Sequence, residues 1–120
     1  MKIFISDSTK SDNEESLIIP LQNSKLSEEH ELVFRHELPP ETSVKDTIRD
    51  CDLVLAELSN PTFEQGIELG WANEAYVTII ATCSSKTTLP EIAPQLTADL
   101  STYENIDELI QLIQKAATNL

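Results

Sequence analysis

The chemistry of this sequence gathers in one stretch, Phe63-Glu64-Gln65-Gly66-Ile67-Glu68-Leu69-Gly70-Trp71-Ala72. It holds both glycines of a 120-residue chain, and they flank a single carboxylate, Glu68. Glycine inside a helix costs about 1 kcal/mol relative to alanine, so two of them in one helical pattern need a physical reason. Gly66 and Gly70 lie four apart, on a stripe beside Glu68, and Glu64 stands one turn earlier on the face of Glu68. Two missing side chains would let a strand, a neighbouring backbone or a ligand approach the helix surface. The plainer reading is close packing of helix on sheet, with Glu68 as a solvated surface carboxylate.

Strands and helices that could position this stretch are legible on both sides of it. Lys2–Ser6, Leu53–Ala56 and Val77–Thr82 are short apolar runs rich in β-branched residues, and Glu31–Arg35 is a weaker one. Their near-continuous apolar character is that of strands covered on both faces of a parallel sheet. A further strand is expected near Leu96–Ser101. Ser11-Asp12-Asn13-Glu14 has capping-box spacing and leads into Leu17, Ile18 and Leu21, in a helix that Pro20 must kink or end. Thr42–Arg49 and Asn60–Ala75 are helix candidates, the second with Asn60 as N-cap and Pro61 at its first position. Asn105 opens the last helix, whose apolar stripe is Ile106, Leu109, Ile110, Leu112 and Ile113.

Strand–helix alternation of this kind predicts one α/β domain over residues 1–120. The expected architecture is a doubly wound, flavodoxin- or Rossmann-like sandwich of three layers around a mostly parallel five-stranded sheet. Ligands of such folds bind at the carboxyl ends of the strands, beside the helix starts that follow them.

Composition narrows the partners. A formal charge of −13, with eight basic residues scattered along the chain, argues against a nucleic acid polymer or a basic membrane-binding face. A small anion is still admissible, because backbone amides at a helix N-terminus bind phosphate without net positive charge. No apolar run is long enough for a signal peptide or a membrane span. Cys51 and Cys83 form no CxxC pair and read as buried reduced thiols of a cytoplasmic protein. His30 and His36 have no metal-ligand spacing, and no metal or cofactor is expected.

Residues 51–72, CDLVLAELSNPTFEQGIELGWA, resemble the signature of the nucleoside 2-deoxyribosyltransferase superfamily, most nearly its 2'-deoxynucleoside 5'-phosphate N-hydrolase branch. That signature runs Asp, a hydrophobic strand, Glu-x-Ser/Thr-x-Pro-Ser, then Gly-x-Gly-Tyr-Glu-Leu-Gly-x-Ala. Asp52, Leu53–Ala56, Glu57, Pro61, Gly66, Glu68, Leu69, Gly70 and Ala72 match it. The resemblance implies a Glu68 nucleophile that attacks C1' of the sugar, expels the base and forms a glycosyl-enzyme, the logic of a retaining glycosidase. It implies a small nucleoside or nucleotide as substrate and a homodimer or higher homo-oligomer as the assembly. Asp52 and Gly66 are counted with the substrate-binding positions.

Other family positions are altered here. The loop after the first strand, of the type Tyr-x-x-Gly-Ser-x-Arg, becomes Phe4-Ile5-Ser6-Asp7-Ser8-Thr9-Lys10. Ser8 and Lys10 would hold a 5'-phosphate, with lysine giving a point charge where arginine gives a fork. Phe4, at the substrate-binding tyrosine's position, lacks the hydroxyl that would support the nucleophile. Thr62 stands at a phosphate-binding serine. The second catalytic carboxylate falls in register on Val44, and Asp46, two residues on, is the candidate to replace it. Without those partners, the alternative is a non-catalytic nucleotide-binding or protein-interaction module on the same fold.

Overall fold

Lys2–Ser6 (β1), Glu31–Phe34 (β2), Leu53–Glu57 (β3), Thr78–Ser84 (β4) and Leu100–Tyr103 (β5) form one five-stranded sheet in the computed structural model, which describes residues 1–8 and 14–120. The order is β2-β1-β3-β4-β5, and every neighbouring pair is parallel. The expectation of a mostly parallel doubly wound sheet is met by a wholly parallel one.

Ile19–Gln22 (α1), Lys25–Glu29 (α2), Val44–Arg49 (α3), Phe63–Glu74 (α4), Ala93–Leu96 (α5) and Ile106–Thr118 (α6) connect or follow the strands. Side chains of a strand alternate between faces, and β1 shows how that divides the core. Ile3 and Ile5, with Leu53, Leu55 and Ile80, pack under Leu21 of α1 and under Leu109 and Ile113 of α6. Phe4, with Val54, Ala56 and Ala81, packs under Ile48 of α3 and under Leu69 and Ala72 of α4. Helices on both faces of the sheet make three layers.

The strand order reverses between β1 and β3, and this switch point is where such sheets open a crevice at their carboxyl edge. Ser6 and Glu57 end the two strands there, and Arg35 directly follows β2 on the same edge, opening the 3-10 turn Arg35–Glu37.

Local chemistry moved several element ends from the positions the sequence predicts. Thr62, not Asn60, caps α4: its Oγ1 accepts from Gln65 N at 3.3 Å, and its own N–H donates to Gln65 Oε1 at 3.1 Å. That reciprocal pair satisfies two end donors at once, so the helix starts after Pro61 rather than on it. The sequence around Pro20 forms a π-helical turn, Glu14–Ile18, followed by an α-helix in whose first turn the proline sits. Residues 11–13 of the proposed capping box lie outside the described residues. The last strand begins at Leu100 because Ala93–Leu96 is taken up by α5, with Pro94 in its first turn. Asn105 caps α6 as expected, accepting from Glu108 N at 3.0 Å.

Candidate functional site

Glu68 is 2% exposed, so it is a buried carboxylate and not a solvated one. It lies on the inward face of α4 with Gln65, Leu69 and Ala72, the 3.6-residue repeat of one helix stripe. A buried charge must be compensated, and two residues from other elements do this. Ser6 Oγ donates to Glu68 Oε1 at 2.8 Å. Arg35 grips the carboxylate with two donors, Nη2 to Oε1 at 2.7 Å and Nε to Oε2. Three of the roughly four lone-pair sites of a carboxylate are thereby filled, and Oε2 keeps the remaining one.

Arg35 is itself fixed, since Nη2 also donates to the Asp7 carbonyl at 3.0 Å. The Glu68 hydrogen bond raises the guanidinium's proton affinity above its ordinary value, burial opposes this, and the charges of Glu68, Asp7 and Glu64 reinforce it. The guanidinium side chain is 17% exposed against 3% for Glu68, so Arg35 lies on the solvent side of the pair. Gln65, 1% exposed, completes the frame: its Nε2 donates to Ser6 O at 3.0 Å and to Glu57 O at 2.7 Å. One amide thus ties the ends of β1 and β3 to the helix that carries Glu68.

A cavity of about 160 Å³ adjoins the pair, lined by Arg35, Val44, Glu64, Ile67, Glu68 and Trp71. Val44 therefore stands beside Glu68, where the resemblance places the second carboxylate, and it gives that wall an apolar surface. Asp46 is directed elsewhere: its side chain is 68% exposed and pairs with Arg49 at 3.5 Å, one turn along the same helix.

The remaining predicted positions are spread over the molecule. Phe4 is fully buried under α4, and the hydroxyl that bonds to Glu68 comes instead from Ser6, two residues on and on the same face. Ser8 is buried just beyond β1. Lys10 lies outside the described residues. Asp52 is carried to the opposite edge of the sheet, where it precedes β3 and accepts from Lys2 N at 2.8 Å.

The glycines do not clear space around Glu68. Successive helix residues turn by about 100°, so Gly66 and Gly70 face about 160–200° away from it. They line a separate apolar cavity of about 330 Å³ with Thr62, Leu69, Pro90 and Ile92 among its walls. A Cβ at either glycine would meet nothing within 4 Å, so no close approach requires them.

A second polar cluster occupies the other half of the carboxyl edge. Glu57, 3% exposed, accepts from Ser59 N at 3.0 Å and from Ser59 Oγ, while Ser59 Oγ accepts from Ser84 N at 2.8 Å. Tyr103 lies near this cluster, and burial first, then the Glu57 charge, push its phenol up to about 12. Thr82 Oγ1 and Ser101 Oγ are buried without a partner.

Sequence reasoning missed Ser6, Arg35 and Gln65. The first two were legible as the polar last residues of two strand candidates, since the carboxyl edge of a parallel sheet is where function collects. Both cysteines are free and buried, and burial pushes the Cys51 thiol up to about 11. Among the described residues, no helix is long and apolar enough to cross a membrane, and no group of His, Cys, Asp and Glu is placed to hold a metal.

No protein-family model matches this chain, and no curated protein matches it either. Its fold is shared with solved structures. The CMP N-glycosidase BcmB of Clostridium botulinum is similar at 21% identity and a TM-score of 0.68, over 97% of this chain and 99% of that one. A conserved protein from Enterococcus faecalis V583 is similar at 14% identity and a TM-score of 0.67, over 97% and 98%. A 2-deoxyribosyltransferase from Leishmania mexicana is similar at 19% identity and a TM-score of 0.58, over 78% of this chain and 69% of its own.

Proposed function

We propose that this protein is an N-glycosidase of the nucleoside deoxyribosyltransferase type, cleaving the base–sugar bond of nucleosides or their 5'-monophosphates with Glu68 as nucleophile. The observation that carries the reading is a buried glutamate, aimed by Ser6 and Arg35 at the switch point of a parallel sheet. Two structures of this fold, named for N-glycosidase and deoxyribosyltransferase activities, support it.

In the proposed reaction an oxygen of Glu68 bonds to C1' as the C1'–N bond breaks, and the base leaves with that electron pair. The sugar passes through an oxocarbenium-like transition state into an ester with Glu68. Ser6 and Arg35 hold the carboxylate oriented before attack. Ser8, Lys10 and Thr62 are the proposed contacts for a 5'-phosphate, together with the free amides that open α4. Asp46 takes no part, because it is exposed and paired with Arg49. The assembly is proposed as a homodimer or higher homo-oligomer.

Base release from a panel of nucleosides and nucleoside monophosphates, followed by chromatography, tests the reading. The wild type is expected to release base from at least one substrate, and Glu68→Gln to fall to the enzyme-free background. Equal, background-level release by both proteins across the panel would sink it.

A second reading, a non-catalytic nucleotide-binding or protein-interaction module, is favoured by Val44 beside Glu68 and by the double guanidinium grip that quiets the carboxylate. It predicts thermal stabilisation by a nucleotide without base release. A ligand at 100 times its Kd adds about 2.7 kcal/mol, which a melting curve resolves.

A further inference from the structure

We infer that Arg35 makes this chain a hydrolase rather than a transferase, by shortening the life of the glycosyl-enzyme. The inference rests on Glu68 being the nucleophile.

Charge balance carries the argument. In the free protein the Arg35 guanidinium spends two donors on the Glu68 carboxylate, one on each oxygen. When Glu68 becomes an ester, its negative charge is gone. Arg35 keeps its own charge and loses the anionic acceptor of both bonds. Its third contact, the Asp7 carbonyl, is neutral and does not replace it. The carboxylates of Asp7 and Glu64 also act on Arg35, but their charge is the same before and after the ester forms. The half-buried guanidinium therefore favours the state in which Glu68 is a carboxylate. A charge-assisted bond is roughly twice as strong as a neutral one, so the bias is substantial.

The bias acts on both halves of the reaction. It restrains Glu68 in the attack on C1', and it stabilises the negative charge that returns to the carboxylate as the ester breaks. In the second half, a water oxygen bonds to C1', the C1'–O bond to Glu68 breaks, and its electron pair returns to the carboxylate. The water proton passes to solvent at the cavity edge, where Glu64 is an exposed carboxylate. A transferase needs its ester to outlive the exchange of one base for another. Arg35 removes that interval, so water resolves the ester first.

The effect is one of positioning and charge, so its test reads the intermediate rather than activity alone. With a substrate that the wild type cleaves, the wild type should show no burst of base and no transfer to an added second base. Arg35→Gln should show a burst, a protein mass raised by one sugar unit, and transfer to the second base. The ester's lifetime should lengthen about 10- to 100-fold, the loss of a charge-assisted bond expressed as a rate. Arg35→Lys keeps a charge without the fork and should move the same way by less. It also keeps the test alive if Arg35→Gln fails to fold. A wild type that transfers as fast as it hydrolyses would overturn the inference, as would variants with unchanged partition between water and base. Absence of base release by the wild type would instead remove the N-glycosidase reading, and this inference with it.

Discussion

Two buried glutamates stand at the same edge of the same sheet and are stabilised in opposite ways. Glu68, on α4, meets a cation and a hydroxyl, Arg35 and Ser6, which come from the ends of two other strands. Glu57, at the end of β3, accepts from the amide and hydroxyl of Ser59, with the Tyr103 phenol near enough to feel its charge. Among the described residues, no cation pairs with Glu57. Its bonds to Ser59 close within two residues of the chain, whereas the Glu68 bonds span 33 and 62 residues. Glu57 is thus a local loop brace that binds β3 to the turn after it, and through Ser84 to β4. Glu68 is a tertiary construction that exists only once β1, β2 and α4 have assembled. A carboxylate held that way is expensive to keep and is the one to expect at a reactive centre.

The comparison breaks most sharply at Arg35. Arg35→Ala leaves a 3%-exposed carboxylate without its cation, and this should destabilise the fold by about 3–5 kcal/mol. A fall in the urea midpoint with an unchanged slope would register it. Replacing both partners, Arg35→Leu with Glu68→Leu, should recover most of that loss, because no unpaired charge remains. Ser6→Ala removes one bond to a charged acceptor and should cost about 1.5–3 kcal/mol in the same measurement. Glu57→Gln keeps an acceptor for Ser59 and strands no cation, so a change of about 1 kcal/mol or less is expected. A Glu57→Gln loss as large as that of Arg35→Ala would erase the distinction between local brace and tertiary ion pair.

Why the sequence showed one half of this edge more clearly than the other follows from the range of the contacts. The strand runs, the all-but-continuous apolar pattern and the Asn105 cap are local signals, and the five-stranded sandwich was legible from them. Glu68 was legible through its segment, and so was the register that puts Val44 beside it. Arg35 and Ser6 were legible only as polar strand ends, because nothing near either residue in the chain indicates that the two meet on one carboxylate. The glycines misled for a related reason. Their spacing suggested clearance on the Glu68 face, but the helical turn places them on another flank, along the larger apolar cavity. Asp46 and Asp52 were carboxylates of the right type near the right elements. Asp46 turned out to be an exposed partner of Arg49, and Asp52 an acceptor at the amino end of the sheet.

The smallest expected effect probes the Glu57 side directly. Tyr103 ionises near 12 rather than 10.0, because burial and the Glu57 charge both oppose a phenolate. Between those values the unfolded chain has released the proton that the folded chain retains. The folded state binds more protons, so stability falls as pH rises. The contribution is fully present below pH 10 and is lost as pH climbs through 12. Tyr103→Phe should flatten that part of the alkaline unfolding curve. Ultraviolet titration of the native protein should show the phenolate late in the wild type, and earlier in Glu57→Gln, where the opposing charge is gone. The same titration in Arg35→Lys should match the wild type, because the Glu68 cluster shares no bond with Tyr103. A shift there of the size seen in Glu57→Gln would mean that the two glutamates are electrostatically one site.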